Sequence, residues 1–314
     1  MPVYNGSATL ENAAASILGQ TWGDFELLLH DDGSTDGSAE VIAGLLRRDS
    51  RLRASRSAEN RGLGAAMAHL AGLAQGEYLA IQEQDDLSMS DRLAAEVAAL
   101  DADPRVGLVS GIAEWLDENG EPFRLFPGLL AGGGQYPQEL AEMVRYLYLE
   151  QCKVVNAGAM FRRRVLERMD PGEVPVFFDP AAKMSVDWQF FLRLAHSWRI
   201  AGLRQVVVRM QRGAGRDSLT RRKELQFAEA RRCLRLLYDE LAGSKSSPID
   251  RPLYRRAMAT QLLLEGRFYG GRRGLGRLLN ALLRDPGRAE TWRSLAALAG
   301  GGWRRLNRAE ESAG

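Results

Sequence analysis

Two short apolar runs in the first hundred residues break directly into carboxylates. Phe25 to Leu29 (FELLL) leads into His30-Asp31-Asp32, and Tyr78 to Ile81 (YLAI) leads into Gln82-Glu83-Gln84-Asp85-Asp86. Apolar runs this short, bounded by polar turns, read as buried strands. Helix-spaced segments alternate with them: Ala8–Leu18, Ala39–Arg48, Gly64–Ala74 and Asp91–Leu100. Strands covered on both faces by helices predict an α/β chain with a doubly wound, mostly parallel sheet. Such a sheet gathers ligands at the carboxyl ends of its strands, so both acidic loops are expected on that edge. Glu83, Asp85 and Asp86 repel one another unless something positive lies between them, and a divalent cation suits that need. The plainer reading is an acidic turn ahead of a helix that starts near Ser88–Asp91.

The same alternation continues to about residue 215. Met1–Asn5 reads as the end of a strand whose beginning lies before Met1, so the first strand is expected to be truncated. Arg51–Arg56, Val106–Trp115, Phe123–Phe126, Val154–Phe161 and Ile200–Met210 read as strands, with a hairpin turn at Asp117–Gly120. Glu139–Leu149 and Ser185–Leu194 read as helices, with Arg162–Met169 a short one. Leu129–Gly134 reads as a glycine-rich mobile loop. From Arg221 the pattern is helical throughout, over about 221–242, 251–267, 272–284 and 289–298. Two domains are therefore expected, residues 1–215 and a basic α-helical region, 216–314.

Charge divides the chain at nearly the same place. Residues 1–198 hold 17 Lys and Arg against 29 Asp and Glu, whereas residues 199–314 hold 25 against 11. An anionic ligand or an anionic membrane surface is the partner such a basic region suggests. No nucleic-acid motif accompanies it, so nucleic acid is not an expected partner. Two distant cysteines, Cys152 and Cys233, draw no disulfide framework. No apolar run is long enough for a membrane-spanning helix, and MPVYNGS is not a signal peptide. The expected location is cytoplasmic, peripheral on the inner membrane face.

Five segments occur in order: PVYNG (2–6), LGQTWGDFELLLHDDGSTDGS (18–38), NRGLGAAM (60–67), GEYLAIQEQDD (76–86) and DWQFFLRLA (187–195). Together, over residues 1–215, they resemble a family 2 glycosyltransferase of the GT-A fold. That resemblance implies sugar transfer from a nucleotide sugar, with inversion, using a divalent metal. It places Pro2, Tyr4, Asn5, Asp31, Asp32, Asn60 and Arg61 around the nucleotide. Tyr4 would stack on the base, Asp32 would accept the imide N–H of uracil or thymine, and Asp31 would support the loop. The acidic cluster aligns with the family's DxD motif with Glu83 in the first place. Glu83 would reach a ribose hydroxyl, Asp85 would hold Mg²⁺ or Mn²⁺ between the phosphates, and Asp86 would orient the loop or lie near the donor sugar. Asp187 matches the Asp of the family's ED motif and would be the base that deprotonates the acceptor hydroxyl; Val186 stands where the preceding acid would be.

Trp188 and Arg193 are candidates for the acceptor site, and Arg209, Arg212 and Arg216 for the phosphates. Gln211 occupies the place of a family His, and Ser218 follows. His30, His69 and His196 lack ligand spacing and are expected to be structural. No motif of processive synthases follows Asp187, so transfer of one or a few sugars to a glycan or lipid-linked acceptor is expected. A nucleotidyltransferase would carry a glycine- and base-rich phosphate loop, which PVYNG lacks. A binding module that kept the fold and lost the chemistry is the remaining alternative, favoured by Glu83, Val186 and Gln211.

Overall fold

The computed structural model describes residues 1–150, 153–167, 174–212, 223–242 and 247–299. The chain forms two compact units, one of Met1–Leu147 with Gln151–Ser218 and one of Tyr148–Glu150 with Leu219–Gly314.

The first unit starts with a three-stranded parallel sheet in the order β1 (Pro2–Val3), β2 (Leu27–Asp31), β3 (Leu52–Arg56). Helices α1 (Leu10–Leu18) and α2 (Ser38–Arg48) supply its cover. Leu10, Ala13, Ala14 and Ile17 recur at helical spacing and pack with Leu27, Leu29, Ile42 and Leu45 in one apolar cluster. The β2 strand is nearly all buried, as its unbroken apolar run requires. Helix α3 (Leu63–Leu73) follows β3. Its Gly64 lies against the loop before residue 185: a Cβ there would stand 2.1 Å from the Asp179 carbonyl oxygen, so only glycine allows this approach.

A six-stranded mixed sheet follows. It is built from β4 (Tyr78–Ala80), β5 (Asp86–Ser88), β6 (Val106–Leu116), β7 (Pro122–Phe126), β8 (Ala159–Arg162) and β9 (Arg199–Gln211). The order is β4-β8-β6-β9-β5, with β7 beside β6. Only β6 and β9 pair in parallel. Leu93, Val97 and Leu100 of α4 (Arg92–Ala102) pack with Val106, Val109 and Met160. Helices α5 (Gly128–Ala131), α6 (Leu140–Glu150) and α7 (Val186–Leu194) complete the sequence of elements.

Four features depart from the sequence reading. The expected α/β class with a parallel sheet and flanking helices holds, but its strands are divided between a parallel and a mixed sheet, because β4 pairs with β8 rather than with β1. The side-chain amide of Gln84 bridges that gap: it accepts from Tyr4 N at 2.9 Å and donates to Tyr4 O at 3.0 Å. The segment after the acidic cluster is the short strand β5, antiparallel to β9, with the helix beginning only at Arg92. Val154–Phe161 forms a strand only in its last residues, and Arg163–Leu166 is a single 3-10 turn. The glycine-rich stretch 129–134 overlaps α5, whose Leu130 is buried against Gly202, where a Cβ would stand 2.4 Å from it.

The second unit contains α8 (Lys223–Leu241), α9 (Arg251–Tyr269), α10 (Gly271–Arg284) and α11 (Ala289–Ala299). Asp250 caps α9 by accepting from Leu253 N at 2.8 Å. Gly270 and Gly271 take positive φ, of 57° and 51°, and turn the chain from α9 into α10. The two helices then cross closely: a Cβ on Gly274 would stand 2.6 Å from the Gly266 carbonyl oxygen. None of the described helices is long and apolar enough to cross a membrane.

Candidate active site

The loop after β1 and the loop after β2 hold each other. Asn5, at φ 49°, donates from its backbone to Ser34 Oγ and accepts from Thr35 N at 2.9 Å. Gly6 N donates to Ser38 Oγ and Ser7 N to Asp36 Oδ2. Burial works to raise the Asp36 carboxyl, but hydrogen bonds from Ser38 and Ser7 outweigh it and bring it down to about 2. Asp31 is buried, accepts from Ser34 N at 2.8 Å and pairs with Arg56 at 3.2 Å. The Asp32 carboxylate takes the backbone N–H groups of Arg61 (3.0 and 3.1 Å) and Gly62 (2.8 Å). It thereby folds the Asn60–Gly62 turn against the end of β2. Tyr4, Asn60 and Arg61 remain exposed around this scaffold, with Pro2 half-buried in β1.

The acidic loop rests on a buried polar layer. Gln82 donates to the carbonyls of Glu83 (3.0 Å) and Asp86 (2.7 Å), which sets the loop's curvature. The Gln82 oxygen in turn accepts from Ser88 Oγ and from Arg92. Arg92, fully buried, also donates to Ser88 Oγ, to the Ile81 and Ala159 carbonyls and to Glu96 at 2.9 Å. One guanidinium thus ties together β4, β5, β8 and α4. Burial pushes Glu96 up to about 7 against the pull of Arg92. A carboxyl whose pKa is higher folded than unfolded keeps more protons in the folded state, so stability falls as pH rises. Between the ordinary value of 4.5 and about 7, Glu96 should remove on the order of 3 kcal/mol, and Glu96→Gln should flatten that slope. Thermal melts of both proteins across this pH range check it; equal slopes would show that Glu96 does not carry the effect.

Above that layer, single carboxylate oxygens of Glu83, Asp85 and Asp86 all lie within 4.8 Å of one another. Glu83 and Asp85 are half-buried, and Asp86 is buried at the start of β5. Asn156 donates to Glu83 Oε1 at 2.7 Å. Loss of hydration pushes the Glu83 carboxyl up; the Asn156 hydrogen bond opposes this, Asp85 reinforces it, Arg212 opposes and Asp187 reinforces. Asp187, half-buried in the first turn of α7, therefore stands close enough to the acidic loop for the two charges to interact, though they are 104 positions apart in sequence. Ser185, at φ 56°, turns the chain into that helix. Asp187's immediate neighbours Val186 and Trp188 anchor the turn in the core.

Three predicted contacts take other roles. Trp188 is 2% exposed and its indole donates to the Leu147 carbonyl at 2.8 Å, so it has no face for a sugar. Arg193 is 2% exposed, with its guanidinium over the Phe177 ring at 4.5 Å. Both are core residues because α7 is buried on all sides from Trp188 to Leu194. Arg209 is exposed but forms a 2.7 Å ion pair with its β6 neighbour Glu114. Gln211 donates to the Asp117 carbonyl at the β6–β7 turn. Arg216 and Ser218 lie outside the described residues. His30 bonds Ser55 and Ser57, His69 bonds Ser55, and His196 bonds the Leu192 carbonyl. Asn156, Gln82, Gln84 and Arg92 were not legible as site residues, since none lies in a motif that announces it; Gln84, inside the acidic stretch, was the nearest to a signal.

The family model of glycosyl transferase family 2 matches residues 1–170. The glycosyltransferase GlyG of Streptococcus pneumoniae is 38% identical over 112 residues, 34% of this chain and 36% of that protein. The putative glycosyltransferase EpsE of Bacillus subtilis is 37% identical over 102 residues, covering 32% and 37%. The matched stretch thus spans little more than a third of either relative. Among solved structures, Staphylococcus aureus TarS (residues 1–349, with UDP-GlcNAc) superposes with a TM-score of 0.65 at 15% identity, over 96% of this chain and 90% of that one. The mannosyltransferase PcManGT of Pyrobaculum calidifontis, with GDP-Man and Mn²⁺, gives 0.56 at 18% identity, over 95% and 84%. At these identities the likeness is one of fold, and it agrees with the α/β core described above. With the family model spanning more than half the chain, this protein belongs to glycosyl transferase family 2.

Proposed function

We propose that the first unit transfers a sugar from a UDP- or dTDP-sugar to a hydroxyl of a glycan or lipid-linked acceptor, with inversion at the anomeric carbon. The observation that carries this reading is the approach of Asp187 to the three-carboxylate loop. The acidic loop suits a metal–diphosphate; the carboxylate close enough to interact with it suits an acceptor hydroxyl. The complexes of two fold neighbours, TarS with UDP-GlcNAc and PcManGT with GDP-Man and Mn²⁺, support a nucleotide-sugar donor.

The donor set of the acidic loop fits a hard divalent cation. It offers three carboxylates within 4.8 Å and no nitrogen or sulfur ligand. Asp85, with Glu83 and Asp86 beside it, would hold Mg²⁺ or Mn²⁺, which when bound neutralises the departing diphosphate. The protein's own groups do the rest. Tyr4 offers an exposed ring to the base. Asp32, by folding the Asn60–Gly62 turn, gives the base pocket its wall, and Arg61 stands exposed beside it. Arg212 brings positive charge to the acidic loop and partners a phosphate there. Asp187 accepts the proton of the acceptor hydroxyl as its oxygen forms the new glycosidic bond, the geometry that inversion requires.

The test is nucleoside-diphosphate release from a panel of nucleotide sugars with Mn²⁺, with and without glycan and lipid-linked acceptors. Turnover of one donor is the expected outcome. Binding of a donor without turnover under any acceptor would favour the non-catalytic module, and binding of none would remove the donor assignment altogether.

A further inference from the structure

The second unit carries an arginine groove beside an outward apolar face, and neither belongs to the site proposed above for sugar transfer. The groove runs between α8, α9 and α10 as two adjoining clefts of about 350 and 480 Å³, which share Asn280 and Arg284 as walls. Its arginines are only partly neutralised. Arg231 and Arg277 share the buried carboxylate of Glu265, and Arg232 pairs with Glu229. Arg255 donates to the Leu283 carbonyl at the end of α10. Arg235, Arg251 and Arg284 have no carboxylate partner among the described residues, and the buried Nε of Arg284 has no acceptor. A buried donor in an excess of positive charge calls for an anion with several oxygens, which phosphate provides.

Beside the groove, α10 presents its apolar stripe to solvent. Leu275, Leu279 and Leu283, spaced by four, are 40%, 48% and 78% exposed. The opposite face, Gly274, Leu278 and Ala281, is the one buried against the unit. Helix α10 holds four arginines and no acidic residue, and Trp292 of α11 is 54% exposed. A helix with leucines outward and arginines at its flanks is the pattern of an element lying in a lipid interface. Arginine stems extend along apolar surface while their heads reach phosphate, and tryptophan suits the same boundary.

We propose that the outward face of α10, with the arginine groove beside it, docks on an anionic phospholipid bilayer. Headgroup phosphates occupy the groove around Arg235, Arg251 and Arg284, and Leu279 and Leu283 enter the acyl boundary. This assignment stands independently of the sugar-transfer reading.

Flotation of the full chain with vesicles tests it, using phosphatidylcholine alone and phosphatidylcholine mixed with phosphatidylglycerol. Binding should appear with phosphatidylglycerol, be at least tenfold weaker without it, and decline as salt rises, as screening demands. Arg235→Ala and Arg251→Ala should each weaken it by about fivefold, the worth of one basic side chain near an anionic surface. The pair Leu279→Asp and Leu283→Asp should abolish it. All four positions are tolerant surface or groove sites, and circular dichroism melts should match the parent. Equal binding to both vesicle types, or unchanged binding in both sets of variants, overturns the proposal. So does tight binding of inorganic pyrophosphate without vesicle binding, which would mark a soluble-anion site. A dimer dissolved by the leucine changes, again without vesicle binding, would mark a self-association surface.

Discussion

Asp187→Asn should lower sugar transfer by roughly 10³-fold while leaving donor affinity within a few-fold of the parent, a loss in the range that removal of a general base produces. The change keeps the size and the hydrogen-bonding reach of the side chain and removes only its capacity to take a proton. The helix that carries it should not move. Val186 and Trp188, on either side, are each 2% exposed, and Trp188 is tied to the Leu147 carbonyl. Loss of the negative charge also relieves Glu83, whose carboxyl Asp187 helps to push up. The Glu83 pKa should therefore fall slightly, which gives a structural readout apart from rate. The measurement is single-turnover transfer beside calorimetric donor binding. Transfer retained within tenfold would place the base elsewhere, and a parallel loss of donor binding would make Asp187 part of the donor site.

Asp85→Asn should weaken Mn²⁺ affinity by on the order of 10²-fold or more and reduce transfer accordingly, since even outer partners of metal ligands are worth 10- to 100-fold. Asp85 is the member of the acidic cluster freest to act on a ligand. It is half-buried, whereas Asp86 is 1% exposed in β5 and Glu83 is held by Asn156 at 2.7 Å. Replacing it with an uncharged amide removes one of three converging charges and leaves the buried layer beneath untouched. The fold should therefore melt within about 1 kcal/mol of the parent, as surface changes usually do. Mn²⁺ binding read by electron paramagnetic resonance, with and without UDP, separates this loss from catalysis. Unchanged Mn²⁺ affinity would mean that the cluster is not where the metal binds.

Much of the local architecture was readable from residue pattern. FELLL and YLAI became β2 and β4, and α1, α2, α4, α6 and α7 start and stop within a few residues of the periodic segments that predicted them. The four carboxyl-terminal helices did the same. Less legible was what lies between elements. The break of the sheet and the strand β5 escaped because Asp86–Ser88 is too short and too polar to announce a strand; its pairing with β9 is what makes it one. Trp188 and Arg193 looked available for ligand because an aromatic and an arginine near a catalytic acid read alike whether they face in or out. The outward leucines of α10 hid for the opposite reason: the pattern over 272–284 told of a helix but not of which face would be covered.

The sequence alone determined the element types, the acidic loops at strand ends and the charge division between the two regions, because strand and helix periods and local charge are properties of neighbouring residues. Tertiary structure alone decided which distant groups meet. The Glu83–Asn156 hydrogen bond spans 73 positions, and Arg92 reaches the Ala159 carbonyl across 67. Asp187 comes to the acidic loop only when α7 is packed into the core by Trp188 and its neighbours. Such contacts cost loop-closure entropy and are fixed by the packing of whole elements, which no local pattern encodes.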